Sequence, residues 1–226
     1  MIRCALRRGS FHTPYGLCFL DNQTQKPTIS LCIITYNEEV MLEDCLLSCA
    51  NYVDEIILTD TGSTDGTKDI ARKYRATIVD HHWQDDFSAA RNACVAHAKG
   101  DWVLVLDADE RLAPGAGALL REFTRQSDAD YGLMPIHNAS HVAATPEQIM
   151  SGLARRSDPV LIPRFFRRTN DLRWNGVVHE NVTEWLATGR NGQVTDAHIL
   201  HLGNIPRIRK ERQKSNRNLR LLERRC

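Results

Sequence analysis

The chain has 226 residues and a mass of 25.7 kDa, with 42% hydrophobic and 25% charged residues. These proportions are those of a globular protein that buries a substantial core, and the length excludes a small disulfide-stapled fold. The mean hydropathy is −0.39. No apolar run reaches the ~18 residues of a membrane-spanning helix, so the composition excludes an integral membrane protein.

The charge is balanced overall but unevenly distributed. The net charge is +1, yet residues 206–226 hold nine Lys or Arg and two Glu, and residues 1–27 hold four basic residues and one acid. Residues 28–205 therefore carry a net charge of −9. An acidic body with basic ends suits a domain that binds a divalent metal or a polar ligand better than a nucleic-acid groove.

The seven cysteines are odd in number and include no CxxC pair. This pattern indicates neither a disulfide framework nor a zinc site. The basic N-terminus is broken by His12, Pro14 and Gly16 and is a poor match to a signal peptide. We therefore expect a reduced, cytoplasmic location.

Three segments are predicted from the pattern along the chain. Residues 1–27 lack a sustained period and form an arm that we expect to be partly disordered. Residues 28–204 form the domain, and residues 205–226 form a basic C-terminal helix. This last helical pattern has no stop signal, so we expect more protein or a partner to follow it.

The first half of the domain alternates between strand and helix patterns. Strands are predicted over residues 29–34, 55–59, 76–79 and 102–106, and helices over residues 40–49, 64–74, 86–98 and 114–125. Such alternation predicts an α/β fold whose mostly parallel sheet has helices on both faces.

The second half predicts a mixed arrangement. A strand over residues 131–136 is followed by a long loop over 137–159, which we interpret as a lid or an acceptor-recognition loop. Further strands are predicted over 160–168, 177–185 and 193–202.

Polar residues follow three of the predicted parallel strands directly. The segments are 36–38, 60–63 and 107–110. Ligands of open α/β sheets bind beyond the carboxyl ends of the strands, so these segments are expected to meet at one rim.

Asp107 and Asp109 are candidate ligands for Mg²⁺ or Mn²⁺. Both follow a buried strand two residues apart, and carboxylate oxygens are the donors that these cations prefer. The alternative is a helix cap and a solvated acidic loop. His201 lies in an alternating, strand-like run and can complete the coordination shell, or it can be an ordinary core or loop histidine.

Two other rim residues also allow two interpretations each. Tyr36 can stack on a nucleobase or pack in the core. Asp60 can bind a base or ribose, or it can stabilise its own turn by accepting hydrogen bonds from the backbone.

An ordered set of motifs then matches a known family. These motifs are Thr35-Tyr36-Asn37-Glu38-Glu39, Asp54 to Thr67, Phe87-Ser88-Ala89-Ala90-Arg91-Asn92, Gly100-Asp101-Trp102 and Asp107-Ala108-Asp109. Together they resemble the family 2 glycosyltransferases from about Ile29 to Arg225. The later segments around Arg164 to Arg167, Trp174 to Glu180 and His198 to Gly203 resemble the branch that includes bacterial cell-surface and peptide S-glycosyltransferases.

The resemblance implies a GT-A fold that binds a nucleotide diphosphate sugar across the strand ends and transfers the sugar by a single inverting displacement. A divalent metal, Mn²⁺ or Mg²⁺, would be held by Asp109 and Asp107. The implied donor-binding residues are Thr35, Tyr36, Glu38 and Asp60 for the nucleoside, Arg91 for the phosphates or sugar, and Asp107. Arg91 can instead pair with an acid.

An inverting transfer needs a general base, and Glu180 is the candidate, in a position that resembles the family's acidic catalytic segment. His179 would orient Glu180 or contact the donor. The alternative is that Glu180 pairs with Arg164 or Arg167 and only ties strands together.

The donor and the acceptor are less defined. UDP is favoured over GDP or dTDP, although Thr61 stands where many family members carry a second acid after the strand. The acceptor is a glycan, a lipid-linked molecule or a peptide. The basic C-terminal helix allows peripheral membrane contact, and no nucleic-acid partner is expected.

Two other functions compete with sugar transfer. A sugar nucleotidyltransferase uses a similar sheet, but it typically opens with a glycine-rich, basic phosphate loop that residues 33–38 lack. A non-catalytic sugar-nucleotide-binding module is the second, and the joint presence of Asp107, Asp109, His179 and Glu180 argues against it.

Overall fold

The computed structural model describes residues 26–203 and 205. The strands in this part of the chain are β1 (Ile29–Thr35), β2 (Glu55–Asp60), β3 (Thr77–Asp80), β4 (Trp102–Asp107), β5 (Glu110–Leu112), β6 (Tyr131–Asn138), β7 (Val160–Arg167), β8 (Gly192–Val194) and β9 (Ile199–His201). The α-helices are α1 (Leu42–Cys49), α2 (Thr67–Lys73), α3 (Phe87–Ala96), α4 (Ala116–Gln126), α5 (Pro146–Met150) and α6 (Thr183–Leu186).

The strands form one sheet in the order β3-β2-β1-β4-β7-β6-β9-β5, and β8 also pairs with β6. The first four strands are parallel, as the alternating pattern predicts. β7 then runs antiparallel to β4 and β6, while β9 runs parallel to β6 and antiparallel to β5. The predicted division into a parallel first half and a mixed second half is confirmed.

The parallel strands are buried on both faces. In β1, Leu31 and Ile33 point to a cluster that includes residues of α1, α2 and α4, whereas Cys32 points to a second cluster with Cys94 of α3. A strand covered on both faces reads as an unbroken apolar run rather than an alternating one. The predicted α/β fold with helices on both faces is therefore correct.

Aromatic packing joins the parallel half to the mixed half at the β4–β7 pair. Phe165 of β7 stacks on Trp102 of β4 with ring centroids 4.7 Å apart, and both contact Phe123 of α4 edge-on. On the other face, Phe166 contacts Trp174 and Trp185. Large buried rings on both faces hold the two halves of the sheet together.

The predicted strand over residues 177–185 is wrong. Its backbone is irregular, with His179 at φ 58° and Gly176 at φ 104°, and a single isolated bridge pairs Asn175 with Asn181. Helix α6 then begins at Thr183. A positive φ at a non-glycine residue inside the segment, His179, is incompatible with a regular strand.

Other boundaries in the second half also differ from the prediction. The loop over 137–159 contains the end of β6 and helix α5, whose N-terminus carries a capping box between Thr145 and Gln148. The strand over 193–202 is two short strands, β8 and β9. β5 was not predicted, because three residues are too few to show a period.

The predicted arm over residues 1–27 and the basic helix over 205–226 lie outside the described residues, except for residues 26, 27 and 205. The limits of the domain at 28 and 204 stay predictions. Within the part of the chain that the structure describes, no helix is long and apolar enough to cross a bilayer.

Candidate functional site

A cavity of about 810 Å³ opens at the carboxyl ends of β1 and β4. Of the ten residues predicted for the site, nine line this cavity, namely Thr35, Tyr36, Glu38, Arg91, Asp107, Asp109, His179, Glu180 and His201. They come from positions as distant in sequence as 35 and 201. The remaining predicted residue, Asp60, does not line it.

The loop after β1 presents Tyr36 to the cavity. This side chain is 55% exposed, so the alternative that it packs in the core is wrong. The carbonyl of Glu38 accepts hydrogen bonds from the backbone of Met41 and Leu42 and so begins α1. Asn37, at φ 52°, accepts from the backbone of Thr64 and thereby ties this loop to the one after β2.

Asp60 is buried in its own turn. Its Oδ2 accepts hydrogen bonds from the backbone N–H groups of Gly62 and Ser63, and Lys68 Nζ lies 3.3 Å away. Burial alone would raise the pKa of Asp60, but these donors outweigh it and lower the pKa. These are the contacts of the turn interpretation, and its contact with a nucleoside stays a prediction.

Asp107 lies between two buried guanidinium groups. Its Oδ1 accepts from Arg91 Nη2 at 3.1 Å, and its Oδ2 accepts from Arg164 Nη2 at 3.2 Å. Burial opposes the charged carboxylate, but the two arginines outweigh burial and hold the pKa of Asp107 well below its usual range. Both oxygens of this carboxylate are therefore engaged by protein cations.

Arg91, from α3, is 4% exposed and links two carboxylates. Besides Asp107, it donates to Glu180 Oε1 from both Nε, at 3.2 Å, and Nη2, at 2.7 Å. Burial by itself would lower the pKa of Arg91, but Asp107 and Glu180 raise it. Its third nitrogen, Nη1, is buried and has no hydrogen-bond partner among the described residues.

Glu180 stands on the irregular segment between β7 and α6. The backbone carbonyl of Val177 in this segment accepts from the backbone of Phe87, which anchors the segment to the start of α3. The ion pair of Glu180 is with Arg91, so the alternative in which Glu180 pairs with Arg164 or Arg167 is wrong. Arg91 takes Oε1, and Glu180 makes no hydrogen bond through Oε2 within the described chain.

Asp109 and His201 meet at the floor of the cavity. His201 Nε2 lies 3.5 Å from Asp109 Oδ1, and His201 Nδ1 lies 3.0 Å from Asn138 Oδ1 of the neighbouring strand. Gly203 makes room for this pair, because a Cβ there would overlap the Asp109 carboxylate. Burial would lower the pKa of His201, but Asp109 outweighs it and raises the pKa.

The donor set of this floor fits a hard divalent cation. One carboxylate and one imidazole nitrogen face each other, and Asp107 is close by in sequence. Among residues 26–203 and 205, no group of three or more His, Cys, Asp or Glu side chains converges as a metal site. Mg²⁺ is commonly held by one or two carboxylates together with substrate phosphates and water, so the Asp109 carboxylate fits this mode of binding, and His201 would add a nitrogen ligand.

Sequence reasoning missed an apolar wall of the cavity. Trp83, Phe87 and Val178 form this wall, and Trp83 contacts Phe87 edge-on with ring centroids 4.9 Å apart. His82 also lines the cavity. Phe87 belongs to a motif that the sequence analysis quoted, but its motif partner Arg91 carried the argument.

Comparison with known proteins places this geometry in a family. Residues 30–189 match the sequence profile described as Glycosyl transferase family 2. A TPR repeat-containing protein of Synechococcus elongatus is 38% identical over 158 residues, covering 70% of this chain and 36% of that protein. The SPbeta prophage-derived glycosyltransferase SunS of Bacillus subtilis is 26% identical over 203 residues, covering 89% of this chain and 46% of that protein.

A solved structure has a similar fold. The S. aureus TarS fragment 1–349, crystallised in complex with UDP-GlcNAc, superposes with a TM-score of 0.57 at 19% identity and covers 77% of this chain and 58% of its own. This chain spans about a third to a half of the length of the two curated relatives. The fold is GT-A, and the chain belongs to glycosyl transferase family 2.

Proposed function

We propose that this chain transfers a sugar from a nucleotide diphosphate sugar, with UDP favoured, to an acceptor hydroxyl or thiol, with inversion at the anomeric carbon. One observation carries the proposal. A single cavity brings together a buried cation, Arg91, a carboxylate with one open oxygen, Glu180, and a two-ligand metal floor, Asp109 and His201.

The size and lining of the cavity support a nucleotide sugar as the ligand. A volume of about 810 Å³ is in the range of sites for ligands of this size. The exposed ring of Tyr36 can stack on a base, and Thr35 and Glu38 line the same end. The TarS fragment of similar fold binds UDP-GlcNAc, which supports UDP as the nucleotide.

The leaving diphosphate gains negative charge during transfer, and the cavity supplies positive charge where it is needed. Arg91 is held charged by Asp107 and Glu180, and its unpaired Nη1 can donate to a phosphate oxygen. A bound Mn²⁺ or Mg²⁺, held by Asp109 and His201, would neutralise part of the diphosphate charge. Asp107 as a direct metal ligand stays a prediction, since two arginines engage its oxygens.

The acceptor must lose a proton as it attacks the sugar. We assign this proton to Oε2 of Glu180, because Oε1 is engaged by Arg91. His179, at φ 58°, turns the chain so that Glu180 reaches Arg91 at the cavity. The apolar wall of Trp83, Phe87 and Val178 excludes water from this side, which strengthens the electrostatic interactions inside the cavity.

The proposed acceptor must carry a group that Glu180 can deprotonate. A glycan, a lipid-linked molecule or a peptide would each present the hydroxyl or thiol that Glu180 deprotonates. Contact of the basic segment 205–226 with a membrane surface, where a lipid-linked acceptor would lie, belongs to this proposal.

A panel of nucleotide sugars tests the function. UDP-glucose, UDP-GlcNAc, UDP-galactose, GDP-mannose and dTDP-glucose are each offered with Mn²⁺, and thermal stabilisation and donor hydrolysis are measured. We expect a UDP-sugar to stabilise the fold by about 2.7 kcal/mol at 100 times its dissociation constant. We also expect EDTA to remove most of this stabilisation.

Three results would contradict the proposal in different ways. Stabilisation without any turnover favours the non-catalytic module, and release of pyrophosphate from a sugar phosphate and UTP favours the nucleotidyltransferase. Nucleotide binding that EDTA leaves unchanged removes the metal from the proposal. Tyr36→Ala is the matched variant for the base-binding end, and Tyr36→Phe, which keeps the ring, is its control.

A further inference from the structure

Arg164, in β7, connects the mixed half of the sheet to two carboxylates, one at the end of β4 and one at the start of β5. Its Nη2 alone makes two contacts, 3.2 Å to Asp107 Oδ2 and 2.7 Å to Glu110 Oε1. Glu110 is 1% exposed, and its Oε2 accepts a hydrogen bond from the backbone N–H of Asp107 at 3.0 Å. Arg164 is therefore the cation between two carboxylates that lie three residues apart.

The ion pairs continue from Asp107 to the proposed base. Asp107 holds Arg91 through its other oxygen, and Arg91 holds Glu180. The result is a row of alternating charges, Glu110, Arg164, Asp107, Arg91 and Glu180, which crosses from β5 and β7 through β4 and α3 to the segment before α6. The position of Glu180 thus depends on a residue three ion pairs away.

We propose that Arg164 is a positioning residue for sugar transfer: it holds the Asp107 carboxylate so that Asp107 fixes Arg91 and Arg91 fixes Glu180. This inference rests on the proposed function, in which Glu180 takes the proton of the acceptor. Arg164 does not line the cavity, so it acts through Asp107 and not by contact with the donor.

Removal of Arg164 has a clear electrostatic consequence. Asp107 and Glu110 would be left as neighbouring carboxylates without the cation they share, and like charges at this distance repel. Asp107 would then turn away from Glu110, and Arg91 would lose one of its two anchors. Because a single nitrogen makes both contacts, the amine of a lysine can replace it.

The first measurement is the rate of UDP-sugar hydrolysis with Mn²⁺, using the fastest UDP-sugar of the panel. We expect Arg164→Gln to lower kcat by about 100-fold, as a misplacement near 1 Å does. Arg164→Lys should keep most of the rate. Arg167→Gln on the same strand is the control, because Arg167 donates to Ala129 O and lies over Trp102.

The second measurement repeats Arg164→Gln in a Glu180→Gln background. If Arg164 acts by positioning Glu180, the loss already caused by Glu180→Gln should grow by less than about threefold, because residues that act as a unit are not additive. A merely structural role would give the same factor in both backgrounds. That result, or an unchanged kcat in Arg164→Gln alone, overturns the inference.

Melting curves of each variant, together with a second variant, distinguish a loss of folding from a loss of catalytic rate. Glu110→Gln loosens Arg164 without leaving an unpaired buried charge, and we expect a loss of about tenfold in kcat that again requires Glu180. If this loss is equal in the Glu180→Gln background, the inference fails. A wild type that neither binds nor hydrolyses any UDP-sugar overturns the proposed function itself, and this inference with it.

Discussion

The parallel half of the sheet, β1 to β4, and the mixed half, β6 to β9, contribute to the cavity in different ways. In the parallel half, residues that line the cavity directly follow their strands, as Tyr36 follows β1 and Ala108 follows β4. In the mixed half, Glu180 comes from irregular backbone and His201 from a three-residue strand. One wall is encoded by local pattern, and the other depends on how distant segments pair.

Contacts between the two halves complete the site. Arg91 and Glu180 are 89 residues apart in sequence, and Arg164 and Asp107 are 57 apart. The register of β5 against β9 places Glu110 opposite His201. Charges that sit on different halves thus hold one another in place, and the site exists only when both halves are assembled.

Loss of the proposed base should be the largest effect. We expect Glu180→Gln to lower kcat by about 10² to 10⁴-fold with nearly unchanged donor affinity, because the amide keeps the shape but cannot accept the proton. Initial rates and UDP titrations measure the two quantities. Glu184→Gln, at an exposed position of helix α6, is the control. Retention of more than about a tenth of kcat would remove Glu180 from its role.

Loss of the aromatic packing at the junction between the halves should give the second-largest effect, which is a loss of folding stability. Phe165 is fully buried against Trp102, so we expect Phe165→Ala to cost about 3 to 5 kcal/mol of unfolding free energy in urea. Leu161→Ala, on the same strand but 48% exposed, should cost less than about 0.5 kcal/mol. Equal losses in the two variants would show that this junction does not join the halves.

A close contact between the two halves lies at the floor of the cavity, where Asp109 meets His201. A Cβ at position 203 overlaps the Asp109 carboxylate and lies 2.9 Å from His201 Nε2, so Gly203→Ala must displace one of the two. We expect Mn²⁺ affinity, measured by the loss of the free-ion EPR signal, to fall by about 10 to 100-fold. Asp109→Ala sets the full loss for comparison. Unchanged affinity in Gly203→Ala would place the metal elsewhere.

Lowering the pH should reduce folding stability through a histidine pair in the mixed half, by a smaller amount than the loss of Phe165. His137 Nε2 lies 2.7 Å from His198 Nδ1, and burial, His198 and Arg155 lower the pKa of His137 to about 4. The folded state therefore binds fewer protons than the unfolded one, whose histidine titrates near 6.5. Stability is fully present above about pH 6.5 and is lost as the pH falls toward 4.

This prediction is measured with a variant. In urea unfolding, His137→Gln should lose less stability than wild type between pH 7 and pH 5, by on the order of 1 to 2 kcal/mol. Comparing how the unfolding free energy changes with pH in the two proteins cancels the contributions of the other titrating groups. Parallel slopes would show that the histidine pair does not bind a proton on unfolding.

The sequence-based prediction was correct for the strands that hydrophobic periodicity and the following turn residues define. Apolar runs and the turn residues after them located β1, β2 and β4 within one or two residues, and with them Tyr36 and Asp107. Arg91, on α3, came from the resemblance to the family. The segment around Glu180 was predicted as a strand for the same reason, because Val177 and Val178 are β-branched. The backbone does not follow this local preference: His179 has a positive φ, and Glu180 forms an ion pair with Arg91.

By itself, the sequence determined the α/β class, the parallel first half and the strand-end residues Tyr36, Asp107 and Asp109 that line the cavity, since strand period and strand-end residues are local properties. Other cavity-lining residues, Arg91 and Glu180 among them, came from the resemblance to the family. Only the tertiary structure decided that Asp60 turns into its own loop, that Glu180 pairs with Arg91, and that Arg164 shares Asp107 with Glu110. The ion pairs of Glu180 and Arg164 join residues distant in sequence, whereas Asp60 contacts its own turn, which is one of the two interpretations that its local sequence allows. Distance and burial settle them, and no residue pattern encodes either.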